Sequence, residues 1–386
     1  LMSTKVKGEG PVDSRERTSV VNEGRDEAIW NIEKDRVVRA ERSTPPGGGV
    51  IGKGLRKVEG AAKAIGRAVY ADDIARPGML HGKILRSPYA HARIKSIDYS
   101  EALELQGVEG VITGKDLPGK YGIIPWTHDE TALVQEKVLF IGDEVAAVAA
   151  IDEDTANAAL KLIKVDYELL DPIFDPQVAL DTPENKINEF AKRGNITKRV
   201  ALDFGDVDDA LSQSDCLVEE DYFFCGNTHA PIEPHCTVAE FEPRSRDGGG
   251  QLTVWSSTQI PHYLHRELSR VLGLSPSRVR VIQPVLGGAF GGKSDPFSLE
   301  FCAAKLAITT GRPVKFLFTR EEVFYAHRGR HPMEMNFRLG CDSNGKIKGV
   351  RSKILIDGGA YASYGLVTAY YSGQLLTGPY DFPTYA

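Results

Sequence analysis

A chain of 386 residues is long for a single hydrophobic core, and with 41% apolar and 26% charged residues it has the make-up of a globular protein of two or three domains. A formal charge of −6 gives its surface no overall attraction for nucleic acid or an anionic membrane, which argues against either as principal partner. No apolar run reaches the length of a bilayer span and the opening residues LMSTKVKGEG carry no secretory core, so a cytoplasmic location is expected.

In chain order, residues 1–50 are polar and, apart from Trp30, nearly free of aromatic side chains, which predicts an arm that buries little surface by itself. Gly47, Gly49 and Gly52 fit G-x-G-x-x-G, yet Pro45 and Pro46 stand where a strand would have to lead into a dinucleotide loop, so a linker is expected. Residues 51–175 alternate strand-like and helix-like runs and predict a compact α+β domain. GKILRSPYAHARIKSID and KVLFIGDEVAAVAAID read as strands with turns, DTANAALKLI as a helix capped by Asp152 or Asp154, and KVDYELL as a strand. Residues 176–195 are turn-rich and read as a connector to a second domain, 196–386.

In that second domain VEEDYFFCG, CTVAEFEP and LTVWSSTQ read as strands. Pro261 opens a helix with Leu264, Leu268, Val271 and Leu272 on one face and Gly273 as its stop. Gln259 then falls where a strand ends and a helix begins. RVRVIQPVL reads as a strand into GGAFGGKS, a helix follows from about Asp295 to Thr310, then strand VKFLFT and the short helical REEVFYA. MEMNFRLG and KIKGVRSKILID form a hairpin around Asn344-Gly345. Cys216, Cys225, Cys236, Cys302 and Cys341 are dispersed, without a C-x-x-C pair, and read as reduced thiols.

Residues 287–294 satisfy the P-loop pattern, with Lys293 and Ser294 in the phosphate and magnesium positions and Asp357 as a second acid. Asp357, however, lies on an arm of an antiparallel hairpin, whereas a magnesium-binding acid ends a parallel strand beside the loop. Four glycines around Ala289 and Phe290 exceed what phosphate cradling needs and suggest a backbone pressed against a flat ligand. His229, Glu233 and His235 have the spacing of a metal cluster, but the two prolines among them favour a rigid structural bend.

VLGGAFGGK resembles the G-G-x-F-G-G-K loop of the molybdenum-cofactor-binding large subunits of the xanthine dehydrogenase family, the molybdenum hydroxylases. KVEGAAKAIGRAVYADDI, ILRSPYAHARI, KVLFIGDEVAAVAA, NTHAPIEPHCTVAEF, VWSSTQIPH, TREEVFYAHRGRHP and DGGAYASYG are similar to the same family, in order, from about residue 50 to 386. The resemblance implies an α+β fold: a hammerhead-like domain followed by the first part of a molybdopterin-binding domain. It implies a molybdopterin cofactor with molybdenum, as cytosine dinucleotide, and 2Fe-2S clusters and FAD on partner subunits. By it Gln259 hydrogen-bonds a molybdenum ligand, Gly287, Gly288, Ala289, Gly291 and Gly292 approach the cofactor, and Phe290 packs on an aromatic substrate.

Two departures bear on that substrate. Ser294 stands where purine-oxidising relatives carry a glutamate, and Tyr371 where they carry an arginine, which disfavours xanthine. Tyr371 and its surroundings are similar to the 4-hydroxybenzoyl-CoA reductase branch, so the favoured expectation is reductive dehydroxylation of a hydroxybenzoyl-CoA-type thioester. Tyr371 would stack on the ring or donate a proton, and Tyr370 is a weaker candidate. Hydroxylation of aldehydes or N-heterocycles, a non-catalytic scaffold half-subunit and a P-loop protein are the alternatives. Relative to the family, the general-base glutamate and later cofactor segments are missing, which implies either a partial chain or a split subunit with a further chain supplying the rest of the molybdenum domain.

Overall fold

The computed structural model describes residues 52–243, 249–326, 328–381 and 383–386; Trp30, Gly47 and Gly49 lie outside them. Two compact units are distinguished, one ending at Arg67 and one running from Ala68 to Ala386. Within the first, the described residues include one short helix, α1 (Gly60–Ala64).

The second unit begins with β1 (Leu80–Arg86), β2 (Ala92–Asp98), α2 (Ser100–Glu104), β3 (Val108–Thr113), β4 (Lys120–Tyr121), β5 (Glu130–Thr131), β6 (Lys137–Val138) and β7 (Glu144–Ala150). Then come α3 (Glu153–Leu162), β8 (Lys164–Leu169), α4 (Pro176–Asp181) and α5 (Val207–Ser212). The Asp152 carboxylate accepts from the Thr155 amide at 2.7 Å and so caps α3. β9 (Cys216–Phe224), β10 (Cys236–Glu242) and β11 (Gln251–Ser256) lead into α6 (Pro261–Leu272), which buries Leu264 and Leu268 and ends at Gly273 in the left-handed region, φ 66°. The rest is β12 (Val279–Ile282), α7 (Ser298–Thr310), β13 (Val314–Leu317), α8 (Arg320–Tyr325), β14 (Met333–Cys341), β15 (Ile347–Ile356) and α9 (Gly365–Gln374).

β12 and α7 differ from expectation, and prolines account for both. Pro284 cannot donate to a ladder, so the strand stops at Ile282; Pro296 disfavours helical backbone at Asp295, so α7 starts at Ser298.

The main sheet runs β12-β11-β10-β13-β1-β7-β3 and therefore takes strands from both sides of residues 176–195. β11/β12 and β1/β13 are parallel and the other neighbours antiparallel. α7 is apolar nearly all round and lies across this sheet, burying Phe301 and Leu306 with Leu80, Ile84, Leu252, Val254 and Phe316. Gly82 is where β1 and β13 meet: an added Cβ would sit 2.0 Å from the Phe316 ring. A second antiparallel sheet, β15-β14-β9, a third, β6-β2-β8, and the two-stranded β4-β5 accompany it among the described residues. Among the described residues no helix is long and apolar enough to cross a membrane.

Candidate active site

The polar triplet at the end of β11 is pinned before it reaches Gln259. Ser257 exchanges two hydrogen bonds with Cys236, its amide donating to the carbonyl and its Oγ accepting from the amide, each at 2.9 Å. The Thr258 hydroxyl accepts from the Ile260 amide. Gln259 is thereby presented at the mouth of α6, with its own amide donating to the Lys293 carbonyl at 2.8 Å. Its side-chain oxygen accepts from the amides of Gly291 (3.0 Å) and Lys293 (3.3 Å) and from the Ser294 hydroxyl (3.1 Å). With Oε1 fixed by three donors, the side-chain amide of this exposed residue is left without a partner among the described residues, as a donor toward a ligand.

The segment holding His229, Pro231, Glu233 and His235 underlies the glycine loop. An added Cβ at Gly287 would meet the Glu233 Cβ at 2.7 Å, and one at Gly292 the His229 ring at 2.9 Å. Glu233 Oε2 accepts from the Gly287 amide at 2.9 Å and from Lys293 Nζ at 2.6 Å. Lys293 is only 1% exposed; burial lowers its pKa while Glu233 opposes the shift. Burial pushes His235 down to about 3, so it is neutral, and its Nε2–H donates to the Gly292 carbonyl at 3.1 Å. Among the described residues no group of three or more His, Cys, Asp or Glu could hold a metal ion.

Gly288 and Gly291 have φ of 106° and 96°, and Phe290 itself 55°, a conformation a side chain rarely adopts. It turns the Phe290 ring back over Gly288 and leaves it 76% exposed. The amides of Gly288, Ala289 and Phe290 have no acceptor among the described residues. Successive amides with a left-handed residue among them form a concavity for electron-rich atoms.

Beyond the loop, buried Asp295 is held by Arg328 at 3.1 Å and accepts a short hydrogen bond from the Ser363 hydroxyl; burial raises its pKa against both partners. The Tyr364 hydroxyl, pushed up to about 12 by burial, donates to the Ser294 carbonyl at 3.4 Å. These contacts tether the start of α9 to the glycine loop. Tyr371 follows Tyr364 by seven residues, two turns along the same stripe of the helix, and is half exposed. Its ring contact among the described residues is with Tyr370, at 6.0 Å, not with Phe290. Gln259 and the loop are thus brought into direct contact, whereas Tyr371 is joined to them through α9. Asp295, Arg328, Ser363 and Tyr364 carry no local sequence signal for this tether, since their partners are distant in the chain.

The P-loop alternative does not fit this geometry. Lys293 is buried against Glu233, Ser294 donates to Gln259, and Asp357 follows β15, in a different sheet from the strand that feeds the loop.

The molybdopterin cofactor-binding domain family matches residues 188–386, and the aldehyde oxidase and xanthine dehydrogenase a/b hammerhead domain matches residues 65–171. The chain is 39% identical over 336 residues to the nicotinate dehydrogenase large molybdopterin subunit of Eubacterium barkeri, covering 86% of this chain and 76% of that one. It is 36% identical over 337 residues to a probable xanthine dehydrogenase subunit of Bacillus subtilis, covering 86% of this chain but 44% of that protein. The structure of aldehyde oxidoreductase from Desulfovibrio gigas superposes with a TM-score of 0.78 at 29% identity, over 88% of this chain and 38% of the other.

Proposed function

Because this chain belongs to the aldehyde oxidase and xanthine dehydrogenase family of molybdopterin-binding large subunits, we propose that it supplies one wall of a molybdopterin site that hydroxylates a small aromatic N-heterocycle or an aldehyde. The observation that carries this is the glycine loop itself. Three loop amides without acceptors and the Gln259 amide without a partner among the described residues lie on one loop and the side chain bonded to it. That set of donors suits a cofactor rich in oxygen acceptors. Glycine at 287 and 292 lets the loop backbone rest directly on Glu233 and His229, where a Cβ would clash, and so sets the depth of the cradle.

When bound, molybdopterin supplies a two-electron acceptor and a water-derived oxygen for the substrate carbon. The chain's own residues bind and orient. With the cofactor bound, Gln259 and the amides of Gly288, Ala289 and Phe290 would donate to it, and Gly287, Gly291 and Gly292 would give it room. Phe290 presents an apolar ring to the substrate, and Tyr371 a second ring with a hydroxyl donor. Ser294 and Tyr371 in place of charged anchors disfavour a purine. The similarity to nicotinate dehydrogenase and aldehyde oxidoreductase favours oxidation; reductive dehydroxylation of a hydroxybenzoyl-CoA-type thioester is the second reading, supported by Tyr371 on the tethered helix. The cytosine dinucleotide form, 2Fe-2S and FAD partner subunits and a cytoplasmic setting complete the proposal.

The test is native purification with co-purifying chains, followed by molybdenum and pterin quantification and turnover of nicotinate, aldehydes and 4-hydroxybenzoyl-CoA. Stoichiometric molybdenum and pterin with dye reduction by a heterocycle or aldehyde is the expected result. Thioester-dependent turnover alone would transfer the assignment to the second reading, and absence of both molybdenum and pterin would sink both readings.

A further inference from the structure

We propose that Cys216 and Cys341 form a reversible thiol–disulfide site, a modification site for low-molecular-weight disulfides, at the end of the second sheet remote from the glycine loop. The register of β9 against β14 places these two residues directly opposite each other. Opposed residues of an antiparallel pair have Cα atoms about 4.5 or about 5.5 Å apart, depending on the hydrogen-bonding position. Either spacing falls in the range of about 4.4–6.8 Å that a disulfide spans without backbone movement. Both are free thiols within solvent reach: Cys216 is exposed and Cys341 half-buried. The outer edge of β9 carries no further strand among the described residues. The other cysteines lack this arrangement, since Cys236 and Cys302 are buried and Cys225 lies beyond the paired residues of β9.

The neighbourhood also assigns the order of events. Partial burial, Cys216 and the carboxylates of Asp342 and Asp215 hold the Cys341 thiol up, so it is the slower nucleophile. Cys216 thiolate attacks one sulfur of a small disulfide RSSR, forming a protein–SR bond and releasing one thiol as RSH. Cys341 thiolate then attacks the Cys216 sulfur, forming the Cys216–Cys341 bond and releasing the second RSH. The protein loses two hydrogens and RSSR gains two electrons and two protons, so the exchange balances. Eight residues of strand, roughly 27 Å at about 3.4 Å per residue, separate Cys216 from Phe224, beyond which the chain enters the segment under the glycine loop. The cross-link therefore leaves the Lys293–Glu233 contact in place.

The test treats the natively purified protein, with its co-purifying chains, with excess oxidised glutathione, blocks remaining thiols and maps peptides without reductant. The expected result is a Cys216 peptide joined to a Cys341 peptide, two hydrogens lighter than the separate pair and released by dithiothreitol, with this chain's free thiols falling from five to three. Cys341→Ser should instead retain one glutathione on Cys216, and Cys216→Ser should lose the cross-link. If the unmutated protein keeps both thiols free, or carries separate glutathione adducts on the two cysteines, the proposal is overturned.

Discussion

At the scale of single residues, the Lys293–Glu233 pair decides how the glycine loop is held. Lys293→Met leaves the Glu233 carboxylate buried with one backbone donor and should destabilise the protein by about 3 kcal/mol. Adding Glu233→Gln should restore most of that loss in denaturant unfolding; no recovery would mean that the lysine acts through packing alone. His235 gives a pH dependence of definite sign. Its folded pKa lies near 3, below the usual 6.5, so its contribution is complete above pH 6.5 and is lost as pH falls toward 3, by up to about 1.4 kcal/mol per unit. His235→Gln should remove that part of the acid slope, measured by urea unfolding between pH 7 and 4. The glycine loop and the place of Gln259 before α6 were legible because the motif is contiguous and the glutamine sits at a strand–helix junction. The partnership of Glu233 with Lys293 was not, because sixty residues separate them and nothing in either neighbourhood specifies the other.

Elements were read best where a local stop signal exists. Pro261 and Gly273 bound α6, Asp152 caps α3, and Gly345, at φ 80°, turns the β14–β15 hairpin, each through backbone preferences that act within one turn of chain. α7 shows what escapes such reading. Glu300 lies buried in its first turn, accepting from the Phe297 amide at 2.6 Å and the Ser256 hydroxyl at 2.8 Å, and burial pushes its pKa up to about 7. A folded pKa above the unfolded value contributes stability at low pH that is lost as pH rises through about 7. Glu300→Gln carries no charge; its one acceptor oxygen can serve the Phe297 amide, and its NH2 then faces the Ser256 hydroxyl, which can turn to accept. Its stability relative to the unmutated protein should therefore improve from pH 5 to pH 8 in urea unfolding; a constant difference would show that Glu300 is ionised throughout.

Over the whole molecule, the alternation of apolar residues located the strands but not their neighbours. β1 pairs with β13 more than two hundred residues later, so the sequence reading could divide the chain at 176–195 without showing that one sheet spans the division. Arg86 reinforces this join, reaching Glu144 at 2.9 Å on β7 and Glu322 at 3.3 Å on α8. Arg86→Met should cost about 3 kcal/mol by leaving two largely buried carboxylates without their cation. Circular dichroism and tryptophan fluorescence should still report one coincident transition, whereas two separated transitions would mean that the halves fold independently. The placement of β1 also has a consequence in time. While the chain is being synthesised, β1 finds its partner β7 soon after it emerges, but its other edge waits for β13. At ~5–20 residues per second that interval lasts roughly 10–50 s. During it the nascent chain presents an unpaired apolar strand edge of the kind that chaperones cover, so heterologous yield should depend on translation speed and chaperone supply more steeply than the stability of the finished protein would suggest.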